Sequence, residues 1–216
     1  MIRVLIADDQ DLVRTGFKMI LDATEGIEVV GEAADGREAV TRALHLRPDV
    51  CLFDVRMPEM DGIEATRKLA GPDVTEPLKV VIVTTFDTDE NIYGALEAGA
   101  TGFLLKNAGP ELLIEAVRAA AQGDALISPS ITRRLLEHMD AKAGLVRRPQ
   151  PVDPITDREE EVLAAVARGL TNSEIAAELF VSLGTVKAHI AHLMEKVHAR
   201  NRVELVVWAY ETKRIR

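Results

Sequence analysis

Asp49-Val50-Cys51-Leu52-Phe53-Asp54 is followed by Val55-Arg56-Met57-Pro58 and then by Asp61-Gly62. An apolar run of strand length ends on a carboxylate, and a loop with proline and glycine begins at once. An open parallel α/β sheet collects its chemistry at the carboxyl ends of its strands. Asp54 therefore stands where such a fold would do its work.

Working outward, apolar runs and helical patterns alternate. Ile2 to Ala7 reads as a first strand, and Val13, Phe17, Ile20 and Leu21 fall at helical spacing behind it. Ile27 to Ala33, Leu78 to Thr84 and Thr101 to Lys106 read as three more strands. Helices are expected over Gly36 to Leu46, Ile63 to Leu69, Asp89 to Ala98 and from Pro110 to about Gln122. Pro48 stops one of them, and Pro110 sits at a first helical position that tolerates proline. Five βα units predict a (βα)5 flavodoxin-like parallel sheet over residues 1–122.

Residues 123–153 read as a linker. A helix is expected over Pro129 to Met139, and Pro149, Pro151 and Pro154 make the end of the linker semi-stiff. After residue 154 the strand pattern stops. Helices are expected over Asp157 to Arg168, Ser173 to Leu179, Ser182 to about Val197 and, capped by Asn201, to near Lys213. Residues 154–216 thus form a second, small all-α domain.

The chain has 216 residues, 26 Lys and Arg and 35 Asp and Glu, for a net charge of −9. Residues 154–216 hold nine of each sign, so residues 1–153 carry the whole −9. An acidic front and a neutral back suggest different partners for the two modules. The longest apolar runs are too short for a transmembrane helix, and the N-terminus lacks a signal-peptide pattern. No membrane partner is expected. The one cysteine, Cys51, cannot form an intrachain disulfide, which fits a reducing cytoplasm.

Asp8 and Asp9 end the first strand and Asp54 the third. These strands lie side by side in such a sheet, so three carboxylates converge. Their repulsion calls for a cation, and hard oxygen ligands in an open site suit Mg²⁺. Thr84 ends the fourth strand and Lys106 the fifth, with Thr85 a rival for the hydroxyl position. Carboxylates, a divalent ion, a hydroxyl and an ammonium together suit phosphoryl transfer. Bland readings compete for single residues. Asp11 and Asp61 read as turn or helix caps, and Phe103 alone reads as core.

This constellation resembles the receiver domain of bacterial response regulators. Thr84 follows Asp54 by 30 positions and Lys106 by 52, and Met57-Pro58 and Asp61-Gly62 also match. The resemblance implies that Asp54 is the phosphoacceptor for a sensor histidine kinase. It implies that Asp9, Asp54 and the Arg56 carbonyl bind Mg²⁺ directly and Asp8 binds it through water. Thr84 and Lys106 would contact the phosphoryl oxygens, and Phe103 would be an aromatic switch.

In the back, Gly169-Leu170-Thr171-Asn172-Ser173-Glu174-Ile175-Ala176 and Val181-Ser182-Leu183-Gly184-Thr185-Val186-Lys187-Ala188-His189-Ile190 resemble a LuxR-type helix-turn-helix. Together the two modules resemble the NarL/FixJ family of two-component response regulators. Val186, Ile190, Leu193 and Val197 form one core-facing stripe. Small residues opposite, among them Ala188 and Ala191, would seat the helix in a major groove of double-stranded promoter DNA. Thr185, Lys187, Ala188, His189 and Ala191 are the candidate DNA-binding residues, with His189 equally a packing histidine. Alanine at 191, where relatives often carry lysine or a polar reader, favours apolar contact with a base.

A neutral module binds DNA weakly as one copy. Val203, Val206, Val207 and Tyr210 form a stripe on the last helix, with Leu205 and Trp208 off it. The family implies a homodimer contact here, formed on phosphorylation; the alternative is a wholly buried helix. The expectation is a transcription regulator rather than an enzyme. The rival readings are a Mg²⁺-dependent phosphatase on the same carboxylates, an RNA-binding output and a protein-interaction adaptor.

Overall fold

The computed structural model describes residues 1–85, 88–124, 151, 153–199, 202–212 and 214. The chain divides into two compact units, residues 1–128 and 129–216. The helix expected over Pro129 to Met139 and the cap expected at Asn201 lie outside the described residues.

In the first unit β1 (Ile2–Ala7), β2 (Ile27–Ala33), β3 (Val50–Phe53), β4 (Val80–Thr84) and β5 (Gly102–Leu105) form one sheet of order β2-β1-β3-β4-β5. Every pairing is parallel, and β1 meets β3 in the register Val4 to Val50 through Ala7 to Phe53. The helices between them are α1 (Asp11–Asp22), α2 (Gly36–Leu46), α3 (Gly62–Ala70), α4 (Asp89–Glu97) and α5 (Pro110–Gln122).

Strands β3 and β5 and most of β1 and β4 are apolar because both faces are covered, whereas the edge strand β2 also carries Glu28 and Glu32. Val4, Ile6, Val50, Leu52, Val81, Val83 and Leu104 pack on one face with Leu21 of α1 and with Leu113, Ala116, Val117 and Ala120 of α5. The alternate residues Leu5, Ala7, Cys51, Phe53, Ile82 and Phe103 are buried as well. Helices start where the sequence offers acceptors. Asp35 caps α2 through the Glu38 N–H, and Asp61 caps α3 through the Glu64 N–H. Asp61 is thus the cap its sequence reading expects. Asp11 is instead the first residue of α1 and pairs with Arg14, because Gln10 holds the cap position.

The second unit contains α6 (Asp157–Ala167), α7 (Asn172–Glu178), α8 (Leu183–Val197) and α9 (Arg202–Glu211). Thr156 with Glu159 and Thr171 with Glu174 make reciprocal capping boxes at α6 and α7, and Ser182 caps α8. Val162, Leu163, Ile175, Val186, Ile190, Leu193, Leu205 and Trp208 form its core. Among the described residues no helix is long and apolar enough to cross a membrane.

Candidate functional site

The strand order reverses direction between β1 and β3, which opens a crevice above their carboxyl ends. Asp8 and Asp9 follow β1 directly and Asp54 follows β3. Pairing fixes them in height, because the Asp54 N–H donates to Ala7 O at 2.8 Å and the Asp8 N–H donates to Ala33 O at 3.1 Å. Asp8 and Asp54 are buried and Asp9 is exposed, and one carboxylate oxygen from each lies within 4.8 Å of the others. Three oxygen donors with one open side suit a hard cation that keeps water in its shell.

Lys106 follows β5, and its backbone N–H donates to Thr84 O at 2.9 Å. Its ammonium lies 2.6 Å from Asp8 Oδ2 and 2.8 Å from Asp54 Oδ2. The second Asp54 oxygen, Oδ1, accepts the Val55 N–H at 2.7 Å. Burial disfavours the Lys106 ammonium, but its hydrogen bonds to Asp54 and Asp8 outweigh that and raise its pKa above the ordinary lysine value. At Asp8 burial wins and raises the carboxyl, against the lowering by Lys106 and by the Gln10 N–H. One ammonium among three carboxylates leaves the cluster short of positive charge.

Thr84 is fully buried at the end of β4, whereas its rival Thr85 is exposed. Phe103 is fully buried and pairs in register with Ile82, two residues before Thr84, so the two share one face of the sheet. Arg56 lies exposed in the loop after Asp54. That loop is held short. Glu59 takes a left-handed φ of 62°, and the Gly62 N–H closes back on Val55 O at 2.8 Å. Arg14 is a neighbour the sequence reading missed. Its guanidinium donates to the Asp8 carbonyl at 2.7 Å and pairs with Asp11. A basic residue one turn into α1, behind two aspartates, was the available signal.

In the second unit Val186, Ile190, Leu193 and Val197 of α8 are buried, as their spacing requires. Gly184, Ala188, Ala191, His192 and Glu195 are exposed on the opposite side, with Thr185, Lys187 and His189 half-buried between. Small exposed residues opposite a core stripe make a narrow helix face that a major groove can admit. On α9 the core residues are Leu205, Trp208 and Ala209. Val206, Val207 and Tyr210 are half-buried, and the Val203 side chain lies outside the described residues. Arg202, also missed from sequence, is buried and donates to Asn172 Oδ1 at 2.7 Å and to the Leu170 carbonyl.

The response regulator receiver domain matches residues 4–118, and the luxR family of bacterial regulatory proteins matches residues 153–209. The chain belongs to the LuxR-family response regulators. Whole-length relatives agree. This response regulator is 41% identical over 208 residues to the uncharacterized transcriptional regulatory protein YxjL of Bacillus subtilis, covering 96% of this chain and 94% of the relative. It is 38% identical over 210 residues to the transcriptional regulatory protein LiaR of the same organism, covering 97% of each. Among solved structures, the response regulator ChrA of a heme-sensing two-component system is 36% identical, with a TM-score of 0.53 over 99% of this chain and 98% of that one. The protein is therefore a two-component response regulator with a LuxR-type DNA-binding module. Its family consists of transcription regulators rather than classical enzymes, and it works with histidine kinases and DNA.

Proposed function

We propose that Asp54 accepts a phosphoryl group from the phosphohistidine of a sensor kinase and that the charged form dimerises on promoter DNA. The observation that carries this is the buried Asp54 carboxylate, bridged to Asp8 by the Lys106 ammonium at the crevice of the sheet. An oxygen of Asp54 attacks phosphorus, the N–P bond breaks, and the imidazole leaves. Lys106 offers positive charge to the phosphoryl oxygens, and Thr84, fully buried at the neighbouring strand end, offers a hydroxyl.

The oxygen set fits Mg²⁺, which Asp9, Asp54 and the Arg56 carbonyl would hold directly and Asp8 through water. The ion would neutralise charge on the transferring group. Phe103 shares the face of Thr84 and follows its movement, so phosphorylation reaches the α4–β5–α5 side of the unit. The population shifts only by the difference in these contacts between the two states.

In the second unit, residues 154–216, Lys187 and Thr185 contact phosphates or base edges, Ala188 and Ala191 allow close approach, and His189 contacts the DNA backbone. Val203, Val206, Val207 and Tyr210 form the dimer contact, supported by the half-burial of the last three beside a core carried by Leu205 and Trp208. Residues 1–122 act as the receiver and residues 123–153 as the linker. The protein works in the cytoplasm without turnover of small phosphate esters.

Intact mass after incubation with Mg²⁺ and acetyl phosphate tests the proposal, with size measured on the same samples. Wild type should gain one phosphate and shift from monomer to dimer, and Asp54→Asn should do neither. An adduct of normal yield on Asp54→Asn would overturn the site.

A further inference from the structure

Arg202 is the first residue of α9 and is buried, with 7% of its surface exposed. A cation at a helix N-terminus meets the positive end of the helix dipole, so this position is electrostatically unfavourable. Burial adds desolvation. The compensation is its hydrogen bonds. One guanidinium nitrogen, Nη1, donates to Asn172 Oδ1 at 2.7 Å, and Nη2 donates to the Leu170 carbonyl. Asn172 is the first residue of α7 and is itself buried, and Leu170 lies in the turn that leads into that helix. The planar fork therefore joins the start of α9 to the start of α7 across 30 residues of sequence. Arg168 pairs with Glu178 and Arg214 with Glu160, which tie the far end of α7 and the end of α9 to α6, whereas the Arg202 fork links α9 to the start of α7 directly. A two-pronged charged bond resists small sliding.

We propose that Arg202 is a positioning residue for DNA binding. It makes α9 and the α7–α8 pair move as one body, so that a second copy docked on α9 holds its own α8 at a fixed spacing. This rests on the proposed function, in which α9 is the dimer contact and α8 enters the groove. The consequence is specific. Loss of the fork leaves each module able to bind one half-site, while the advantage of binding two half-sites together collapses. That advantage depends on how rigidly the two modules are linked.

The full chain, treated with Mg²⁺ and beryllofluoride, is titrated against duplexes that carry one or two half-sites, taken from a random pool selected with the wild type. Trp208 is the only tryptophan and lies in the core of the second unit, so its fluorescence in urea reports the stability of that unit alone. Two variants are compared. Arg202→Lys keeps the charge and can hold only one of the two acceptors well. Arg202→Met with Asn172→Leu replaces the polar pair by apolar groups of similar size, a change that leaves many proteins as stable as before. The ratio of two-site to one-site affinity should fall at least tenfold in the double variant and less in Arg202→Lys. The Trp208 midpoint should stay near the wild-type value.

An unchanged ratio at an unchanged midpoint overturns the inference. So does a fall in midpoint and in both affinities with the ratio intact, which marks Arg202 as merely structural. A wild type that prefers no two-site duplex counts against the dimer reading itself, and the variants are then not at issue.

Discussion

Gly62 lies so close to Asp54 that a β carbon built on it would stand 1.9 Å from the Asp54 carbonyl oxygen. The contact is with backbone, so nothing flexible can give way. The absent side chain lets α3 begin directly behind Asp54. Gly62→Ala must push α3 or the loop from Val55 to Asp61 outward. The expected cost is about 2 kcal/mol, as for overpacked cores. Hydrogen exchange of peptides from β3 and α3 should show faster opening, and phosphate uptake by Asp54 should fall. Wild-type exchange in the variant would contradict the contact.

Three carboxylates cluster around one ammonium, so negative charge in the pocket exceeds what Lys106 offsets. Asp9 is the exposed member, while the Lys106 ammonium pairs with Asp8 and Asp54.

 Asp9→Asn removes one like charge and should raise the urea midpoint of the first unit in metal-free buffer. The same change should weaken Mg²⁺ binding. For the wild type, Mg²⁺ at ten times its Kd should add about 1.4 kcal/mol of stability. The variant should gain less at the same concentration. Equal gains from Mg²⁺ in both proteins would remove Asp9 from the ligand set.

Glu159 is held to a pKa of about 2, below its ordinary 4.5, because the Lys196 ammonium 2.7 Å away and the N–H and hydroxyl of Thr156 outweigh its burial. A carboxylate whose folded pKa is depressed stabilises the fold above its unfolded value, and that contribution is lost as pH falls through the folded value. The window here runs from about pH 4.5 down to about pH 2. Glu159→Gln should cost roughly 2 kcal/mol at pH 7, since it leaves Lys196 short of its partner. The Trp208 midpoints of wild type and variant should draw together as pH falls through that window. A gap that stays constant down to pH 2.5 would mean that the ion pair contributes nothing.

The inner strands were legible because both sheet faces are covered, which makes them nearly continuous apolar runs, and the edge strand β2 was legible from its Val29-Val30 centre. The strand-end carboxylates and Lys106 were legible because a parallel sheet brings all its carboxyl ends to one edge. Close approach was not. Asp61-Gly62 shows in sequence as a turn signal, and only the packed loop shows why position 62 excludes a side chain. Arg202 looks like an ordinary surface arginine, because a string of letters does not reveal that the Leu170 carbonyl waits for it. On α9 the periodicity offers two apolar stripes. Tertiary packing, which the period does not contain, decides that Leu205 and Trp208 face the core.

The exposed face of α8 carries little charge, so its electrostatics can be counted one residue at a time. Lys187 is half-buried, while Ala191 is exposed on the helix face opposite the core. If both positions face DNA, charge changes there must alter counterion release. Lys187→Ala should weaken binding and lower the slope of log affinity against log salt by about 1. Ala191→Lys should do the reverse, strengthening binding at low salt and steepening the slope by about as much. It should also blunt discrimination between sequences, because a lysine reaching for phosphate replaces an apolar contact with a base. Anisotropy titrations at several salt concentrations check both variants. If Ala191→Lys leaves the slope unchanged, that face of α8 does not enter the groove, and the DNA contact must be sought on another surface of the second unit.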